Sequence, residues 1–136
     1  MRPVESRQKS SRLDVDSLKM SAETDCPRHF LRESLRLRSD ETGARFWSVS
    51  LNCAQLTYFE VGPNCRFDGH SHPSEQITLV LEGELFFETA AGIARVGIGE
   101  VMAIPANVHH AVYTKGLTAK AVDAWSPVNK KYLDDP

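Results

Sequence analysis

From Ala44 to Trp125 the chain is a succession of short β-rich runs broken by turn residues, with no convincing helical period. Arg45–Leu51 and Gln55–Val61 come first, followed by Gln76–Leu81 and Glu84–Thr89, which Glu82-Gly83 is expected to join as a hairpin. Ala91-Gly92 turns into a run over 93–98, Gly97 and Gly99 mark a bend, and runs over 100–105, 109–114 and 118–125 complete the series. At least eight strands within some 90 residues leave many edges to protect, so the expected fold is all-β, a closed barrel or two-sheet jelly roll. A chain of 136 residues has room for one such domain.

The barrel is expected over 34–136, opening with a strand near 34–38, and residues 1–33 are expected to form an N-terminal arm. Residues 1–39 hold nine of the 16 Lys and Arg against six of the 18 Asp and Glu, and the first 25 are poor in large apolar groups. A net charge of −2 argues against a nucleic-acid binder, and no apolar run approaches the roughly 20 residues of a membrane helix. The N-terminus lacks the apolar stretch of a secretory signal, so the expected location is cytoplasmic. Cys26, Cys53 and Cys65 follow no metal-finger spacing, and Cys53 and Cys65 read as small buried hydrophobes. In the run from Gln76, Ile77, Leu79 and Leu81 share one face, and Thr78 and Val80 share the other with Gln76. A strand apolar on both sides needs a second packing partner, and a homodimer is expected.

Four of the five histidines (His70, His72, His109 and His110) fall between residues 70 and 110. In extended backbone His70 and His72 project to the same side, with Gln76 in the same parity if Pro73-Ser74 bends without a bulge. A further histidine arrives from PANVHH, where His109 and His110 are both available. Three imidazoles and an amide oxygen suit a borderline divalent ion such as Zn, Ni, Fe or Mn.

At these residues the sequence resembles the cupin superfamily. Its first motif runs Gly, five residues, His-x-His, three or four residues, Glu, six residues, Gly. The stretch NCRFDGHSHPSEQITLVLEG matches at His70, His72 and Gly83, with Asn64 in the first glycine position and Gln76 in the glutamate position. The second motif runs Gly, five residues, Pro-x-Gly, two residues, His, three residues, Asn. GEVMAIPANVHHAVYT matches at Gly99, Pro105 and His110, with Asn107 for the second glycine and Thr114 for the last Asn. Asn tolerates positive φ, so Asn64 and Asn107 are mild departures. The resemblance covers roughly residues 44–126 and implies a single-domain cupin-type jelly-roll β-barrel. It also implies a metal held by His70, His72, Gln76 and His110, leaving His109 as a rim residue.

The segment VDAWSPVNKKYL is similar to the ending of a group of small cupins patterned Asp-x-Phe-Ser-Pro-x-Arg-x-Asp-Phe-Leu, which also favours the HSHPxEQ form of the first motif. That group includes the pectin-degradation cupins, which open 4,5-unsaturated uronates to linear keto acids. The resemblance implies Asp123 as the acid/base and Trp125 as pocket lining; Tyr58 and Arg66 are further candidates for the barrel mouth. Asn129 stands where the group has arginine, followed by Lys130 and Lys131, which weakens a bidentate grip on a carboxylate.

A neutral Gln76 in place of glutamate leaves a divalent ion its full charge, favouring isomerase or lyase chemistry over O2 activation. The expected function is therefore a metal-dependent cupin acting on a small, anionic sugar acid or keto/enol acid. An Fe(II)-dependent dioxygenase and a non-catalytic metabolite-binding cupin are the alternatives.

Overall fold

The computed structural model describes residues 26–133. Strands β1 (Arg38–Ser39), β2 (Ala44–Ser50), β3 (Gln55–Val61), β4 (Arg66–His70) and β5 (Glu75–Glu82) come first in the chain. They are followed by β6 (Leu85–Thr89), β7 (Gly92–Val96), β8 (Val101–Ile104), β9 (His110–Tyr113) and β10 (Ala119–Ser126). The strands form two antiparallel sheets, one ordered β1-β2-β3-β10-β5-β8 and the other β4-β9-β6-β7. This is the jelly roll expected from the strand pattern, with no α-helix among the described residues.

One strand is added to those expected, and one local expectation is corrected. Arg66–His70 forms a strand that its composition, with Asp68 and Gly69, does not advertise. Glu82-Gly83 does not close a hairpin, because β5 and β6 belong to different sheets. Gly83 instead turns the chain from one sheet to the other at φ +70°, where a side chain would strike the backbone of Thr118. Asn64 and Asn107, standing in motif glycine positions, adopt φ of 55° and 64°, the left-handed geometry that asparagine tolerates.

Of the expected arm, residues 1–25 lie outside the described residues; Arg32–Ser34 make one 3-10 turn, and the opening strand expected near 34–38 is the short β1 at its far end. All three cysteines are free; Cys65 is buried, whereas Cys53 is exposed, against expectation.

The core between the sheets is aromatic. Phe46, Phe59, Phe87, Trp125 and Tyr132 pack with Val61, Val80 and Ile104. Tyr132 arrives on a 3-10 turn (Lys130–Tyr132) beyond the cis Ser126–Pro127 peptide and meets Phe46 and Phe59 edge-on at 5.1 and 5.0 Å. Gln55 holds this segment down. Its Nε2 donates to the carbonyls of Asn129 and Tyr132, and its Oε1 accepts from the Asn129 amide at 2.6 Å. The C-terminal segment is thereby fixed against one end of the barrel.

Candidate metal centre

His70 closes β4 in one sheet, Gln76 lies in β5 of the other, and His72 sits on the connection between them. The group therefore converges because the chain crosses between sheets, not through the parity of one extended segment. His110 opens β9, where it pairs with His70 across the ladder. One ring nitrogen from each of His70, His72 and His110 lies within 4.8 Å of the others.

The backbone sets the state of each imidazole. His70 Nδ1 lies 2.7 Å from the carbonyl of Asp68, His72 Nδ1 2.9 Å from that of Ser74, and His110 Nδ1 2.8 Å from that of Val108. A carbonyl can only accept, so each Nδ1 carries the proton and each Nε2 keeps its lone pair. Burial, reinforced by the neighbouring histidines, lowers the pKa of His70 and His110 below the ordinary imidazole value; the Nδ1 hydrogen bonds offset this in part. The lowered values favour the neutral form of His70 and His110, the form that binds metal.

Two observations fit a cation. His110 Nε2 is buried without a hydrogen-bond partner. His72 Nε2 and Gln76 Oε1, both acceptors, face each other at 3.1 Å. Adjacent ligands each about 2.1 Å from one ion would sit about 3 Å apart, so both contacts are those of a donor set awaiting positive charge.

Thr78 decides which end of the Gln76 amide faces the histidines. Its hydroxyl donates to Asp123 Oδ1 at 2.6 Å and accepts from Gln76 Nε2 at 2.9 Å, turning Gln76 Oε1 toward His72. Asp123 is buried, and desolvation raises its carboxyl pKa to about 7 despite the Thr78 hydrogen bond. Trp125 packs edge-on against His72 at 5.3 Å and donates to Thr57 at 2.9 Å.

His70, His72, Gln76, Thr78, Asp123 and Trp125 line one cavity of about 290 Å3, walled also by Phe59, Phe67, Phe87 and Tyr132, with Asn129 and Lys131 on its lining. The strand parity that puts Asp123 and Trp125 on the inward face is observed. The Asn129 side chain caps the last 3-10 turn by accepting from the Lys131 amide.

The two other expected pocket residues do not line this cavity. Tyr58 points out from β3, donates to Glu60 at 2.9 Å, and has its pKa pushed up to about 12 by burial and by Glu60. Arg66 is exposed on the other sheet, paired with Glu88 at 2.8 Å and Asp68 at 3.3 Å. Parity across Gly62-Pro63-Asn64 does not reveal the direction of either side chain. His109 is exposed outside the cluster, its ring so close over Gly69 that a Cβ there would lie 2.5 Å from Nε2. Thr78 was not singled out from sequence, although it shares the Gln76 face.

A family model described as cupin domain matches residues 57–125. No curated protein sequence matches the chain. Among solved structures, an RmlC-like cupin from Shewanella frigidimarina superposes with a TM-score of 0.72 at 16% identity, covering 79% of this chain and 97% of its own. KdgF from a Halomonas species gives 0.71 at 18% identity, covering 78% and 100%. The polyketide cyclase RemF from Streptomyces resistomycificus gives 0.66 at 22% identity, covering 76% and 81%. At these identities the superpositions show the fold, while the family match spans half the chain and includes His70, His72, Gln76 and His110 together with Asp123. With ten strands in two sheets among its described residues and its two motifs in order, this chain belongs to the cupin family.

Proposed function

We propose that this cupin is a metal-dependent isomerase- or lyase-type enzyme that moves a proton on a small anionic sugar acid or keto/enol acid, such as a 4,5-unsaturated uronate. The observation that carries this reading is Asp123, a carboxyl with a pKa near 7 on the wall of the same cavity as His70 and His72, which cluster with His110. His70, His72, Gln76 and His110 would hold a divalent transition ion. That ion would supply Lewis-acid polarisation of a substrate oxygen, undiminished by an anionic ligand.

The remaining work falls to the chain itself. Asp123 can both hold and release a proton near neutral pH, as enol-to-keto conversion requires. The aromatic walls exclude water from the proton-transfer path, and Trp125 supplies a flat surface beside His72. Lys131 on the cavity lining offers a point charge to a substrate carboxylate, and its three rotatable donors suit a looser grip than arginine's.

Purified without a histidine tag, the protein should carry stoichiometric divalent metal. Absorbance of a conjugated unsaturated uronate should then decay at a rate that falls about 100-fold or more in Asp123→Asn. Oxygen uptake with no such decay would favour the dioxygenase class. Tight metabolite binding without turnover would favour a binding protein. Either result would defeat the proposal.

A further inference from the structure

The cavity has a polar end and an apolar end. Along the inward face of the six-stranded sheet, Asp123 stands level with Thr57 and Thr78 on the neighbouring strands. Two residues back along β10, Ala121 stands level with Phe59, and Val61 lies beyond it on β3. One such step is about 7 Å, room for a single ring or a branched chain. Ala121 offers only a methyl group, so the step past Asp123 stays open where a larger side chain would fill it.

Nothing at that end answers a hydroxyl. Phe59, Val61, Ala121, Leu85, Phe87 and Val112 line it, and none of these side chains carries a polar atom. Their backbones run in paired strands. The polar groups lie at the other end, where Thr78 bonds both Gln76 and Asp123. Lys131 lines the cavity close enough to His70 for the two charges to interact.

An acid bound with its oxygens among the histidines and Lys131 therefore extends its remaining carbons past Asp123 toward Ala121. A sugar acid would carry hydroxyl groups into that end and strip them of water with no partner in return. An apolar tail would exchange water for a surface of its own kind.

We infer that the substrate is a keto/enol acid with an apolar tail, a single ring or branched chain seated against Ala121, and that a sugar acid fits less well. The choice rests on the proton-transfer function proposed above and narrows its substrate class.

Isothermal titration calorimetry of the metal-loaded protein with phenylpyruvate, pyruvate and a 4,5-unsaturated uronate tests it. Phenylpyruvate should bind about tenfold or more tightly than either of the others. In Ala121→Leu its advantage over pyruvate should fall below about twofold, with metal content read alongside to show that the histidine end is intact. Ala121→Ser adds a hydroxyl but little volume, which keeps the test open where leucine disturbs the barrel. It should cut the advantage about threefold.

Pyruvate or the uronate binding as tightly as phenylpyruvate would overturn the apolar-tail substrate alone. So would an Ala121→Leu protein that folds, keeps its metal and retains the full advantage. If none of the three acids binds, the proton-transfer site itself falls, and the substrate class with it.

Discussion

The two faces of the six-stranded sheet are both mixed in polarity: inward, polar groups are buried beside Phe46, Phe59, Val80 and Trp125, and outward, apolar side chains lie exposed. Inward, β2, β3, β5 and β10 present Ser48, Gln55, Thr57, Gln76, Thr78 and Asp123, all buried. Outward, the same strands present Val49, Leu56, Ile77 and Leu79. The inward polar groups are tolerated because they satisfy one another. Gln55 Nε2 donates to Ser48, Ser48 bonds Thr57, and Trp125 donates to Thr57. A second chain runs from Gln76 through Thr78 to Asp123. The four-stranded sheet supplies the conventional apolar wall through Leu85, Phe87 and Val112. A sheet that gives part of its interior to polar groups carries apolar side chains on its outer face, where Leu56 and Ile77 are exposed.

The largest test of this contrast is His110→Ala on the inward side. Removing one of three converging imidazoles should lower metal affinity more than about 100-fold, read by equilibrium dialysis with Zn or Ni. Retained stoichiometric metal would break the ligand set.

Next in size is the pH response of Asp123. Its carboxyl pKa is raised from 3.8 to about 7, so between those values the folded protein binds more protons than the unfolded chain. Stability conferred on the protonated fold is therefore present below pH 4 and lost as pH rises toward 7, at most about 4 kcal/mol. Urea unfolding of metal-free protein should show this decline, and Asp123→Asn should flatten it.

Thr78→Val should have a smaller effect. It strands the Gln76 amide and the Asp123 carboxyl, costing about 1–3 kcal/mol of stability, and frees the amide to flip, costing about tenfold in metal affinity. Thr78→Ser, which keeps the hydroxyl, should restore both. A Val variant with unchanged affinity would show that Gln76 needs no orienting.

The smallest effect belongs to the outward side. Tyr58→Phe loses one half-exposed hydrogen bond to Glu60 and should leave metal affinity and turnover unchanged, with stability altered by less than about 1 kcal/mol. A loss of turnover would return Tyr58 to the site.

Much of this was legible in the residues themselves. Gln55–Val61 is a strand as read, because its β-rich composition is bounded by turn residues on both sides. The clustering of His70, His72 and His110, with Gln76 beside His72, was legible too, because motif spacing picks out those side chains. Arg66–His70 was not, since its pairing with β9 comes from a distant part of the chain and not from its own propensity. The Glu82-Gly83 turn looked local but serves a change of sheet, which only the position of Thr118 explains.

By itself, then, the sequence determined the strand alternation, the motif residues and their chemistry, because those depend on residue type and spacing along the chain. Which side of each strand faces the interior was decided only by the tertiary structure. Alternation defines two faces, and hydrophobicity alone would have turned Ile77 and Leu79 inward. Burial of Gln76, Thr78 and Asp123 becomes affordable only when strands far apart in sequence meet and complete one another's hydrogen bonds.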